Sequence, residues 1–437
     1  MLNASRLTLC ALSLALGAAH AGVIQDGRLP PQQAAAAAQD PLAPKGAAAQ
    51  AAWAAARAAM AAGDLKKAEQ KFQEAAKADI SAAAPLVGLA EVALKRGDVK
   101  AAQAQLQAAS QRDAKSVLVR LAQARLQVAS GQLAPAQASY QALLKDQPDH
   151  REALFDLGDL LLRQRKAAEA LPLFQRASQL QPVEMGAWVG LARAQALLGQ
   201  RKEAMATLEQ LAQRLPGQAM PLVAAAEMAL ALGDKAQAVS LAERAAKTDA
   251  KAQAPQLVLA DALAANGQGA KAQEVLQSLL TLPDVNAAVV HTKIAILKEG
   301  AKDFDGAMAG YRTALRADPK FHPALNNLAW LASQRKQDLD EGLRSARKAV
   351  ELVPNQLAYL DTLAVLLLAR KEPKPALEAL EPVLKAQPQN GLLQLRKAQA
   401  LQMLDQVPAA RAALELALKA DPELKEAREL QTQLGAR

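Results

Sequence analysis

Catalysis needs a nucleophile, a base or a metal held at fixed spacing, and few residues of those types are present here. The histidines are His20, His150, His291 and His322, and Cys10 is the one cysteine. No HExxH, CxxC or Walker-type glycine loop occurs, so neither a zinc hydrolase nor a nucleotide-hydrolysing centre is indicated. His150 and His322 fall at expected turns and His291 on an expected packing face, which makes all three structural in this reading. Carboxylates are plentiful, but they lie along solvated faces and turns. The sequence predicts no catalytic residue, no metal ligand set and no cofactor.

Binding chemistry remains, and two rows of residues carry it. Trp53, Val87, Leu121, Phe155, Val189, Val223 and Leu257 recur every 34 residues and are apolar without interruption. One helical turn further on, Arg57, Glu91, Arg125, Asp159, Arg193, Glu227 and Asp261 recur, with signs alternating through the first six. An apolar floor beside locally balanced charge suits an extended or helical peptide segment. The same charges also read as ion pairs between neighbouring helices, each worth about 0–1 kcal/mol when exposed. Later in the chain these rows become more polar: Thr292, Ile296, Asn326, Trp330, Asp361, Val365, Leu395 and Gln399. Asn326 and Trp330 are four apart, so an amide and an indole share a helix face, an arrangement suited to a sugar ring or a peptide backbone. A tryptophan packed between neighbouring helices satisfies the same spacing.

The elements that position these rows are legible in residues 151–182. Leu154, Leu157, Gly158 and Leu161 form one helical stripe, the basic run from Arg163 to Lys166 interrupts it, and Ala170, Phe174 and Ala177 form a second stripe that Pro182 ends. This is a helical hairpin, and neither helix can bury its stripe alone. The next 34 residues repeat the offsets with Trp188, Leu191, Ala192, Ala204, Leu208, Leu211 and Pro216. This succession resembles the tetratricopeptide repeat. Repeats are expected near 49, 83, 117, 151, 185, 219, 253, 288, 322, 357 and 391, eleven in all. The small residue where the paired helices touch is Ala56, Ala90, Ala124, Gly158, Ala192, Ala226, Ala260, Ala295, Ala329, Ala364 and Ala398. In the second helix it is Ala68, Ala102, Ala136, Ala170, Ala204, Ala238, Ala272, Ala307, Gly342, Ala376 and Ala410.

The resemblance implies an all-α, right-handed superhelical solenoid with a concave groove lined by the first helices. Trp53, Arg57, Val87, Glu91, Leu121, Arg125, Phe155, Asp159, Val189, Arg193, Val223, Glu227, Asn326 and Trp330 are the expected groove residues. Inter-helix turns carry Gly63, Gly97, Gly131, Gly199, Gly233 and Gly267, which accept the left-handed conformation that ends a helix. The sixth repeat has Ala242 where most others carry Phe, Tyr or Leu, which predicts looser packing. Pro172 and Pro382 fall inside second helices and are expected to kink them or remove a hydrogen bond. Glu423 to Leu434 form a capping helix over the last apolar face, within a terminal segment of residues 423–437.

Composition agrees with a helical array. The 437-residue chain is 51% hydrophobic but only 3% aromatic, and small residues let helices approach closely. Its formal charge is +9. Because Lys and Arg alternate with Asp and Glu, this reads as a solvated surface rather than a nucleic-acid site. Residues 1–21 have the form of a secretory signal: Arg6, an apolar run from Leu7 to Leu16, and Ala19-His20-Ala21. The run is too short to span a bilayer. Cys10 lies inside it, without the preceding apolar segment that a lipidation signal requires. Residues 22–48, rich in Pro, Gln and Ala, read as a disordered leader to a tandem array at 49–422. The phrases NNLAW, DLDEGL and YLDTLA, from Asn326 to Ala364, resemble repeats of exported bacterial proteins associated with the PEP-CTERM/exosortase system. That likeness implies a periplasmic or cell-surface protein of a Gram-negative bacterium. The expected function is a non-catalytic protein-binding scaffold in the envelope, within surface polysaccharide or protein export. Direct glycan binding is the alternative.

Overall fold

A computed structural model describes residues 44–180 and 182–435. The signal pattern, Cys10 and the leader as far as residue 43 lie outside the described residues. Among the described residues all regular structure is α-helical, in twenty-three helices with no strand. The chain divides into two compact units, Met1–Asp249 and Ala250–Arg437. The break follows the sixth hairpin of what the repeat spacing presents as one unbroken array.

The first unit is a solenoid of six hairpins. They are α1 (Ala47–Ala61) with α2 (Leu65–Ala78), α3 (Ala84–Lys95) with α4 (Val99–Arg112), and α5 (Val117–Ala129) with α6 (Leu133–Asp146). There follow α7 (Arg151–Arg163) with α8 (Ala167–Leu180), α9 (Met185–Leu197) with α10 (Arg201–Arg214), and α11 (Met220–Ala231) with α12 (Lys235–Thr248). The second unit is a solenoid of five hairpins and a last helix. They are α13 (Gln253–Ala265) with α14 (Gly269–Leu279), α15 (Ala287–Gly300) with α16 (Phe304–Ala317), and α17 (His322–Arg335) with α18 (Leu339–Leu352). Then come α19 (Leu357–Ala369) with α20 (Pro373–Ala386), α21 (Gly391–Met403) with α22 (Val407–Ala420), and α23 (Lys425–Gly435).

Each hairpin closes in the same way. At the end of α1 the Gly63 N–H donates to the Met60 carbonyl and the Asp64 N–H to the Ala59 carbonyl, at 3.1 and 2.9 Å. This paired closure takes up the last orphan carbonyls and needs a left-handed residue, here Gly63 at φ 75°. Asp64 then caps α2 by accepting from the Lys67 N–H at 3.0 Å. Repeats without the glycine keep the geometry: Arg165, Lys302, Lys371 and Asp405 stand at φ 60–65° and make the same bonds. Turn shape is therefore held by the packing of the two helices, and glycine only relieves its cost.

The small residues meet expectation in every repeat. All the alanines of both series are buried, as are Gly158 and Gly342. Phe174 shows how little clearance exists. A Cβ added at Gly158 would come within 2.7 Å of its ring, and one at Gly190, in the next repeat, closer still. Because each interior is shared only with its neighbours, the core is a succession of clusters. One runs from Trp53 to Ala122 and the next from Leu121 to Ala194. In the second unit, Leu424, Ala427, Leu430 and Leu434 seal α23 onto Ala413, Leu414 and Ala417.

One expectation changes, and one is met by its second alternative. The sixth repeat is not loosely packed: Leu241, beside Ala242, is buried and supplies the missing bulk. Pro172 and Pro382 leave their helices unbroken, each removing only its own N–H from the ladder.

Gly190→Ala is expected to destabilise the first unit by about 1–3 kcal/mol through overpacking on Phe174, although alanine is the better helix former by about 1 kcal/mol. Urea unfolding would show this, and Phe174→Leu in the same chain should recover part of the loss. Lys302→Gly and Lys371→Gly are each expected to stabilise the second unit by about 0.5–1 kcal/mol, read as a raised Tm.

Candidate binding surface

Within each unit the first helices stand side by side, so residues at one repeat position form a row. The apolar row of the first unit is not an exposed floor. Trp53, Val87, Leu121 and Val223 are buried, and Phe155 and Val189 are half-buried. The Trp53 ring lies 5.4 Å from Phe72 and the Phe155 ring 5.9 Å from Phe174, edge to face. A Cβ at Gly186 of the next repeat would come 3.1 Å from the Phe155 ring. These side chains fill the space between a second-helix ring and the start of the following hairpin, where burial removes more apolar surface than an open groove would.

The charged row lies nearer solvent and is tied together across repeats. Arg57 is exposed, with its guanidinium 5.7 Å from the Trp53 ring centroid. Arg125 donates to Asp156 at 2.6 Å and to Glu152 at 2.9 Å. Asp159 accepts from Arg163 at 2.7 Å and faces Arg193 at 3.7 Å. Burial pushes the Glu91 carboxyl above the ordinary carboxylate range against the pull of Arg125 and Arg57. Burial likewise raises Asp156, with Arg125 opposing. Tyr140, fully packed in α6, is raised by burial and by Asp156. Burial works against the charge of Arg125, yet Asp156, Glu152 and Glu91 together hold its guanidinium above its usual value.

Sequence reasoning placed Arg125 and Asp159 in this row but missed Glu152, Asp156 and Tyr140. A spacing of 31 residues from Arg125 to Asp156 was the available signal. It is one repeat less a helical turn, the offset at which side chains on successive first helices meet.

In the second unit the corresponding row is more polar, with Thr292, Asn326 and Leu395 buried and its other members half-buried. Asp261 and Lys293 pair at 2.6 Å. Thr292 returns its hydroxyl to the Ala288 carbonyl of its own helix at 2.7 Å. Asn326 is only 7% exposed, and its Oδ1 has no hydrogen-bond partner. Trp330, one turn along α17, is half-buried, while Leu257, Ile296, Val365 and Gln399 are likewise half-buried and Leu395 is buried. On α19 and α21, Asp361 and the buried Arg396 form an ion pair. Gln394 donates to the Pro388 carbonyl at 2.7 Å, while its Oε1 is buried without a partner. Acceptor oxygens of α17 and α21 are thus left unsatisfied, at a cost of about 1–3 kcal/mol each when nothing occupies them.

The histidines serve packing and capping. His150 Nδ1 accepts from the Ala153 N–H at 3.2 Å and caps α7. His322 Nδ1 lies 2.6 Å from the Tyr359 hydroxyl, and burial lowers its pKa. His291 is also lowered by burial. A hollow of about 100 Å³ between α16 and α17 is lined by Asp305, Met308, Arg312, Arg335 and Asp338. Its charges are paired among themselves, Arg312 with Asp338 at 2.7 Å and Arg335 with Asp305. Among the described residues no group of His, Cys, Asp and Glu is placed to hold a metal, and no helix is long and apolar enough to cross a membrane.

Two family models, both described as Tetratricopeptide repeat, match the sequence. One covers residues 121–182 and 362–424, the other 59–126 and 161–226. Together they take in more than half of the chain. No curated protein matches it. Among solved structures, the chain is similar to one described as the APC/C hetero-tetramer Cut9-Hcn1, at 13% identity over 89% of this chain and 96% of that one, with a TM-score of 0.47. It is also similar to a tetratricopeptide repeat protein from Parabacteroides merdae, at 18% identity over 58% of this chain and 99% of that one, with a TM-score of 0.43.

The raised carboxyls set a pH dependence. A carboxyl whose folded pKa lies above its unfolded value contributes stability below the unfolded pKa and loses it as pH rises through the folded one. Glu91→Gln is therefore expected to flatten the decline of first-unit stability on the alkaline side of the ordinary glutamate range. It should leave the urea midpoint at pH 8 equal to or above that of the parent. Arg125→Met, which strands Asp156, is expected to cost about 1–3 kcal/mol at the same pH.

Proposed function

Because this chain belongs to the tetratricopeptide repeat family, we propose that it is a non-catalytic scaffold that binds a protein or peptide segment across its first helices. The observation that carries this is the unsatisfied Asn326 Oδ1 on the first-helix row of the second unit, with the unsatisfied Gln394 Oε1 on another first helix of that unit, beside the row residue Leu395. A buried acceptor without a donor is costly in the free protein. An extended peptide brings N–H groups at regular spacing and would relieve that cost on binding. In the first unit the Arg125–Asp156–Glu152 and Asp159–Arg193 pairs are exchangeable for charges on a segment bound there, which favours a partner of mixed sign.

The place of action follows from the secretory pattern at residues 1–21. We propose export to the periplasm or cell surface of a Gram-negative bacterium, with a partner in surface polysaccharide or protein export, as the NNLAW, DLDEGL and YLDTLA phrases suggest. Glycan binding is the second reading, favoured by the half-buried Trp330 indole one turn from Asn326.

Selection of a displayed peptide library on the full chain tests the proposal. Enriched peptides are expected to protect α17, α19 and α21 from hydrogen exchange, and to lose about tenfold or more in affinity with Asn326→Leu, the loss expected when a buried charge-free hydrogen bond goes unmade. Peptides that bind Asn326→Leu unchanged and protect only second helices would refute it. Retention on a saccharide matrix that Trp330→Ala abolishes would establish the glycan reading instead.

A further inference from the structure

The first unit carries a feature that peptide binding leaves unused. Its first helices run side by side in one direction, so the turns that lead from first to second helices lie along one edge. On neighbouring stretches of that edge stand Leu197 and Leu198, 61% and 39% exposed. Among the described residues they are the only consecutive pair of exposed large apolar side chains. Arg201 and Lys202 follow on the same turn, and Arg165 and Lys166 stand on the turn before it, all four exposed. Arg165, Lys166 and Lys202 make no ion pair among the described residues. Glu169 and Glu203 are the nearby carboxylates in sequence, and Arg163 is occupied by Asp159. The opposite edge also carries exposed apolar side chains, Ile80 and Val183, and exposed Lys115 and Lys145, but no adjacent apolar pair, and there Arg120 is paired with Asp146 and Arg176 with Asp149.

We propose that this edge docks on the surface of an anionic lipid bilayer, with Leu197 and Leu198 entering the headgroup layer and Arg165, Lys166 and Lys202 facing lipid phosphates. Exposed leucines singly need no explanation. Here an adjacent pair stands at one turn, with exposed cations on that turn and on the one before it, which is the combination of apolar insertion and charge attraction that holds peripheral proteins at membranes. A nucleic acid would reward the cations but not the leucines, because its phosphates offer no apolar layer to bury them.

Sedimentation of the full chain with vesicles tests this. The protein is expected to bind phosphatidylcholine vesicles that carry about 30% phosphatidylglycerol and to ignore vesicles of phosphatidylcholine alone, as charge-assisted docking requires. Leu197→Ser with Leu198→Ser, and separately Lys166→Glu with Lys202→Glu, should each lower the partition coefficient by about tenfold or more. Lys115→Glu with Lys145→Glu, on the opposite edge, should lower it much less. All these side chains are exposed, and unchanged thermal melts by circular dichroism would confirm the folds. Failure to sediment with anionic vesicles at low salt would overturn the proposal. So would leucine variants that bind like the parent, or a duplex DNA that binds as tightly and is indifferent to the leucines.

Discussion

Everything in this fold depends on how closely two helices of a hairpin can approach. At the crossing point each helix presents alanine or glycine, and these residues are buried in every repeat. The tolerance is so fine that Phe174 lies with its ring against Gly158 on one side and Gly190 on the other. A side chain at either glycine would hold the hairpins apart, and interiors packed to crystal density do not absorb such a shift without cost. Turn geometry follows from the same approach. With the helices that near, the connecting residue must be left-handed, and it is so whether the chain offers Gly63 or Lys371.

Close approach also decides the use of the first helices. Standing side by side, they bring residues of successive repeats within reach, so that Arg125 meets Asp156 and Asp159 faces Arg193. Charges that look evenly scattered along the chain become a linked row in the first unit. In the second unit the same positions hold Asn326, Asp361 and Thr292, and the row becomes more polar and partly buried, with the Asn326 acceptor left over. Such an arrangement costs stability in the free protein, which a chain selected for stability alone would not keep. This is why the binding reading rests on the second unit rather than on the tightly paired first.

Much of the fold was legible in the order of residues. The period of 34, the small residues at fixed offsets, the glycine turns and the final capping helix each follow from local rules: which face of a helix is apolar, what ends a helix, and what an unpaired apolar face requires. Those rules act within a few residues, so they can be read without coordinates. The candidate surface was only partly legible. Arg125, Asp159, Asn326 and Trp330 stood in the expected rows, but Trp53, Val87, Leu121 and Val223 turned inward, and Glu152, Asp156 and Gln394 went unread.

The sequence by itself determined that this chain folds as helical hairpins, how many there are, and which residues meet at each crossing, because helix periodicity and close packing are properties of residues near one another. Tertiary structure alone decided which apolar positions are covered by the following hairpin, which carboxylate each arginine finds, where the chain divides at Asp249, and that Leu197 and Leu198 stand exposed near Arg165, Lys166 and Lys202. Those outcomes depend on what stands across from a residue, and periodicity names the face a side chain occupies without naming the neighbour that covers it.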